Sequence, residues 1–177
     1  KKNYYLVSVH REENIDMPEN LNKFVNLLKY LNKSKKEKVL VTTHPRTMKK
    51  LKSLNLKNIK NVILSKPFSY TDYSCLQQNS KFVLSDSGSI TEEASILKFF
   101  AVNLRSTNER QEGMSYGTVP MAHFDLNNIE NIINFSLKNH QNKRKITDYT
   151  SPDFSKVFYN ILISYIDYVK KYTWKLN

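Results

Sequence analysis

KFVLSDSGSITEE, residues 81–93, is the stretch that decides the fold. Residues 81–85 form a short apolar run ending in a small polar residue, which reads as a strand. Asp86, Ser87, Gly88 and Ser89 then make a tight polar turn, and Gly88 is one of only 3 glycines in the chain. From Ser89 the spacing predicts a helix to residue 97. The unit is therefore strand, turn, helix. It recurs on both sides: strands are expected at 5–9, 38–43 and 61–65 before it and at 100–104 after it, with 117–121 as a sixth. Helices are expected at 18–32, 47–54, 71–79, 127–139 and 153–172. In the first of these Leu21, Phe24, Val25, Leu28 and Leu31 fall at helical spacing behind Pro18. Strands that are apolar throughout and alternate with helices argue for a parallel sheet covered on both faces. The fold class is α/β, a Rossmann-like doubly wound parallel sheet with right-handed crossovers.

Composition agrees with one folded domain. The chain has 177 residues, 40% of them hydrophobic and 25% charged, enough to bury roughly 70% of its unfolded surface. No apolar run approaches the ~20 residues of a bilayer span, so no membrane is expected. No signal-peptide pattern precedes the first strand. A single cysteine, Cys75, excludes an internal disulfide framework and a cysteine-only zinc site. Within a helix it reads as a small buried residue. The expected location is cytoplasmic.

The net charge of +12 invites a nucleic-acid reading. Lysine, however, supplies 23 of the basic residues and arginine 5, beside 20 asparagines. Lys33, Lys35, Lys36 and Lys38, and Lys49, Lys50 and Lys52, cluster at expected helix ends and connectors. With no zinc-finger spacing and no aromatic–basic interleave, this is a solvated basic surface, and no nucleic-acid partner is expected.

Ligands of doubly wound sheets bind outside the carboxyl ends of the strands. There stand His10-Arg11-Glu12-Glu13-Asn14, then His44-Pro45-Arg46, then Lys66-Pro67-Phe68-Ser69-Tyr70. The turn at Asp86–Glu93 and the stretch at Arg105–Gly113 follow. Polar and ionisable residues thus collect at one end of the sheet. Gly88 allows close backbone approach, and the first N–H groups of the helix can hold phosphate oxygens. Ser87 and Ser89 add hydroxyl donors. Simple N-capping by Asp86 or Ser87 is the alternative. The turn lacks both GxGxxG and GxxxxGK[ST], so neither nicotinamide binding nor a P-loop is indicated. Glu92 and Glu93 suit ribose hydroxyls better than phosphate, which favours a nucleoside diphosphate. A metal site of His10, His44 and Asp86 has no support from spacing. His123 and His140 read as surface residues, and 140–151 as a polar connector.

HREEN, HP, a Pro-aromatic turn, DSGSITEEA and LRSTNERQEG occur in this order over residues 5–119. Together they resemble the C-terminal half of the non-hydrolysing UDP-N-acetylglucosamine 2-epimerases. The resemblance implies a glycosyltransferase-B-like two-domain fold with the UDP-sugar between two Rossmann-like halves. It implies inversion at C2 of UDP-GlcNAc to give UDP-ManNAc, by elimination of UDP and re-addition, for cell-surface polysaccharide precursors. Neither a cofactor nor a metal is implied. Carried over by motif, Ser87, Gly88 and Ser89 would hold the diphosphate and Glu93 the ribose. Arg110 would offset charge on the departing UDP, and His10 would assist proton transfer or the leaving group. Arg11, Glu13, His44 and Tyr73 would line the substrate side, Tyr73 against uracil. Glu12 departs from the common HRREN. DSGSITEEA and STNERQEG also resemble relatives that give UDP-N-acetyl-L-fucosamine from 6-deoxy sugars, and a glycosyltransferase C-terminal domain or an inactive UDP-binding piece shares the architecture. The family's catalytic carboxylates lie in a half N-terminal to HREEN. The expectation is therefore a UDP-binding domain at 1–150 and a helix at 151–177 that packs on that missing half. Such a chain binds UDP weakly and does not epimerise alone. The complete protein would be a homodimer.

Overall fold

The computed structural model describes residues 3–54, 59–107, 109–139 and 146–176. The chain divides into two compact units, Lys1–Ile146 and Thr147–Asn177.

The first unit is built on five parallel strands: β1 (Tyr4–Ser8), β2 (Lys38–Thr42), β3 (Val62–Ser65), β4 (Phe82–Ser85) and β5 (Ala101–Asn103). Their order is β3-β2-β1-β4-β5, with Val7 opposite both Val41 of β2 and Leu84 of β4. The helices are α1 (Glu12–Ile15), α2 (Pro18–Ser34), α3 (Pro45–Ser53), α4 (Tyr70–Asn79), α5 (Ile90–Leu97), α6 (Gln111–Ser115) and α7 (Leu126–Asn139). The alternating side chains of each strand feed two cores. Tyr5, Val7, Val41 and Leu84 pack with Phe24, Leu28 and Leu31 of α2 and Ile129 and Ile133 of α7. On the opposite face Leu6 and Val83 pack with Ile90 and Ala94 of α5, against which Tyr73 and Leu76 of α4 rest. The doubly wound reading is therefore what the chain adopts. The connections run outward from β1 to β3, then return past β1 to β4. That reversal puts the switch point between the carboxyl ends of β1 and β4, where such sheets bind ligands.

Four expectations change. Residues 117–121 form no sixth strand, only a parallel bridge between Asn103 and Met121. Gly117 has φ of +64°, and Pro120 brings no N–H, though its carbonyl accepts from Asn103. Cys75 is exposed rather than buried, because α4 turns Gln77, Leu76 and Tyr73 toward the protein and Cys75 away. His123 is half-buried, tilted against the Phe124 ring at 5.1 Å with φ of +44°. The HREEN segment holds the single turn α1, too short for any periodicity to show. His140 and the start of the expected connector, 140–145, lie outside the described residues.

Gly113 of α6 is set by packing, not by turn geometry. A Cβ there would lie 1.7 Å from Cγ2 of the buried Thr91. Gly113→Ala is expected to cost about 1–3 kcal/mol through overpacking, read as a lowered urea midpoint at unchanged slope.

The second unit carries a 3-10 turn (Thr147–Tyr149), α8 (Phe154–Tyr168) and a π-helical turn (Val169–Thr173). Along α8, Phe158, Ile161, Leu162, Tyr165 and Ile166 are exposed and, with Trp174, line an open apolar groove of about 300 Å³.

Candidate functional site

The site is organised by a residue that sequence reasoning considered only as a cap or a metal ligand. Asp86, the first residue after β4, is fully buried. Its carboxylate accepts the backbone N–H of His10 at 3.1 Å and of Arg11 at 3.0 Å. It also accepts the amide of buried Asn14 at 3.0 Å and stands 3.1 Å from His10 Nδ1. In return Arg11 Nε donates to the Asp86 carbonyl at 2.9 Å. One carboxylate thus ties the loop after β1 to the loop after β4, across the switch point. Burial alone would raise the Asp86 pKa. Hydrogen bonds from His10 and Asn14, the His10 charge and the Arg11 N–H outweigh it and hold the carboxyl below its usual value.

His10 is affected in the opposite sense. Its hydrogen bond to Asp86 raises its pKa against the lowering effect of burial. A raised folded pKa means that this pair stabilises the fold fully below about pH 6.5. That contribution is lost as pH rises through the folded value. The urea midpoint is expected to fall as pH rises above about 6.5, and His10→Gln should flatten that change. An equal slope in both proteins would show that His10 is not the group responsible.

The turn itself is not a simple N-cap. Asp86 is committed to the β1 loop, and the N-cap of α5, Ser89, makes no side-chain cap. Ser87 Oγ and Ser89 Oγ lie 3.0 Å apart. Ser89 donates onward to Glu93 at 2.7 Å, and Glu93 also accepts Gln77 Nε2 at 2.5 Å. Gly88 sits under two guanidinium groups. A Cβ added to it would be 3.1 Å from Arg110 Nη1 and 3.7 Å from Arg11 Nη2. Arg110 is held by Glu92 through Nε at 2.6 Å and by Glu109 through Nη1 at 3.0 Å. The hydrogen bond to Glu92, with its charge, raises the Arg110 pKa further. Ser87, Gly88, Ser89, Glu93, Arg11 and Arg110 are thereby brought to one place.

Tyr73 is part of the same surroundings. Burial pushes its phenol up to about 12 despite hydrogen bonds from Ser8 and Ser85, and the charges of Glu93 and Asp86 add to the rise. His10 and His44 line an open cleft of about 410 Å³ with Ser8, Thr42 and Arg46. His44 is the N-cap of α3, with Pro45 in the first turn and no side-chain cap. Glu12, the departure within HREEN, reaches Arg46 at 3.2 Å, and Asp16 joins Arg46 and Lys50 beside it. Glu13 is exposed, within electrostatic reach of His123. Among the described contacts its carboxylate does not join the turn. No group of three or more His, Cys, Asp and Glu able to hold a metal occurs among the described residues.

The family model described as UDP-N-acetylglucosamine 2-epimerase matches residues 1–163. The chain belongs to the UDP-N-acetylglucosamine 2-epimerase family. A UDP-N-acetylglucosamine 2-epimerase of Methanococcus maripaludis is 34% identical over 142 residues, covering 78% of this chain and 39% of that protein. The structure of the UDP-N-acetylglucosamine 2-epimerase of Rickettsia bellii matches with a TM-score of 0.79 at 35% identity, over 97% of this chain and 47% of that one. The Methanocaldococcus jannaschii enzyme, solved in complex with UDP-GlcNAc and UDP, matches with a TM-score of 0.80 at 27% identity, over 92% and 46%. The chain thus spans less than half the length of these epimerases, and the expected family and Rossmann-like class hold.

Proposed function

We propose that this chain is the UDP-binding half of a UDP-N-acetylglucosamine 2-epimerase that interconverts UDP-GlcNAc and UDP-ManNAc for polysaccharide precursors. The observation that carries the reading is the convergence of Arg11 and Arg110 over Gly88 at the switch point. Two guanidinium groups above a glycine, flanked by serine hydroxyls and the start of α5, suit a diphosphate. The matched relatives are named for UDP-GlcNAc, and none of those reported is named for a 6-deoxy sugar.

In this reading Ser87, Gly88 and Ser89 bind the diphosphate. Glu93, held by Gln77 and Ser89, accepts the ribose hydroxyls. Tyr73 stands toward the base. His10 keeps Nδ1 on Asp86, so Nε2 is the atom offered to the sugar–diphosphate link, where it donates a proton to the leaving oxygen or steadies its charge. Arg110 balances the charge that builds on UDP as the C1–O bond breaks. Arg11, His44 and Glu13 serve the substrate side. The acids that move the C2 proton are supplied by an N-terminal Rossmann-like half, onto which the apolar stripe of α8 packs. The complete protein is a homodimer, needs no nicotinamide or metal, and acts in the cytoplasm, which the lone Cys75 suits.

Titration calorimetry tests the reading. UDP should bind the chain weakly, on the order of millimolar or tighter, by the loss of one wall of its cleft. No heat and no thermal stabilisation at that concentration would overturn it. Joined to its other half, the protein should produce UDP-ManNAc from UDP-GlcNAc without an acceptor sugar; a requirement for an acceptor would point to glycosyl transfer instead.

A further inference from the structure

We propose that Glu109 is a built-in competitor of the diphosphate for Arg110, kept in place by Arg105; this rests on the diphosphate reading above. Arg110 Nη1 is the atom that overhangs Gly88, within 3.1 Å of where a Cβ would stand. It is also the atom that Glu109 Oε2 accepts from, at 3.0 Å. A phosphate oxygen settling over Gly88 and the Glu109 carboxylate therefore draw on the same nitrogen and its positive charge, and the two anions repel each other across it. The other carboxylate oxygen, Oε1, accepts from Arg105 Nη2 at 2.7 Å. The Arg105 side chain is only 4% exposed, whereas that of Glu109 is 58% exposed.

This division of labour has a mechanical meaning. Arg105 is locked in the protein and holds one oxygen of Glu109 whether or not a ligand is present. Arg110, on the open side, can turn its Nη1 from Glu109 to the diphosphate while Glu92 retains its Nε at 2.6 Å. The exchange orphans no charge: Glu109 stays paired with Arg105, and Arg110 trades a carboxylate for a phosphate. Ligand binding then costs one ion pair, and ligand departure regains it. Glu109 holds Arg110 in position in the empty site and hastens release of the anion.

Inorganic pyrophosphate and UDP are the probes, titrated against the parent and Glu109→Gln. The glutamine keeps the size and an accepting oxygen but removes the charge. Both probes should bind the variant roughly two- to fivefold tighter, the range expected for releasing an exposed ion pair. Glu19→Gln makes the same change of net charge on α2, where Glu19 pairs only with Lys23 among the described contacts, and should leave both affinities unchanged. A Glu109→Gln protein that binds no tighter than the parent, or a Glu19→Gln protein that gains as much, would overturn the competitor role and leave the diphosphate reading intact. A parent that binds neither probe would overturn both.

Discussion

Asp86→Ala is expected to lower the unfolding free energy by about 3–5 kcal/mol, in the upper range of single substitutions. The substitution strands several partners at once. The amide of Asn14, 1% exposed, and the backbone N–H groups of His10 and Arg11 all lose their acceptor. A buried donor left unsatisfied costs about 1–3 kcal/mol, and the vacated volume adds to that. Asp86→Asn keeps the volume and one acceptor and should lose about half as much. In both variants the His10 pKa should fall, since the hydrogen bond to the Asp86 carboxylate is what chiefly raises it. Urea unfolding reads the stability, and the His10 imidazole resonances read the titration. A loss under about 1 kcal/mol would mean that water or neighbouring groups satisfy the stranded donors, and the hub role would fail.

Arg110→Gln is expected to weaken UDP binding by about 10- to 100-fold while leaving stability nearly unchanged. A charged hydrogen bond to phosphate contributes about 1.5–3 kcal/mol, and the neutral amide retains little of it. The ion pairs lost in the free protein are 37% exposed on the arginine side, and pairs of that kind contribute about 0–1 kcal/mol. The decisive comparison is with uridine, which carries no phosphate. Its affinity should be the same in parent and variant, so the whole effect resides in the diphosphate. Glu93→Gln should do the reverse, weakening uridine and UDP alike while pyrophosphate binding persists. Equal losses for uridine and UDP in Arg110→Gln would remove Arg110 from the phosphate site.

The strands were readable because each is a compact apolar run, and α2 and α7 because their stripes repeat over several turns. The sheet order followed only in kind: nothing local says that β4 returns to the far side of β1. The residues of the turn and of HREEN were legible as a polar collection at strand ends. Their central member was not, because Asp86 meets partners 72 to 76 residues away, and its only local mark is its place directly after a strand. Neighbouring carboxylates were equally opaque. Glu92 and Glu93 differ by one position on α5, yet one takes Arg110 and the other Gln77 and Ser89. The small helices α1 and α6 and the exposed face of α4 that carries Cys75 were missed for a common reason: a single turn, or a helix with weak amphipathicity, has no period to read.

The sheet also has a frontier. β3 lies at one edge, four residues long, with no strand on its outer side among the described residues and Ile63 46% exposed. An open edge of that sort is a template on which another chain can lay a strand. β5, at the other edge, is shielded by the Met121 bridge; β3 has no such cover among the described residues. It is short, however, and Lys60 and Lys66 bracket it on a chain of net charge +12. The lysines that say nothing about nucleic acid thus acquire a use in repelling copies of the same chain from an edge they would otherwise extend.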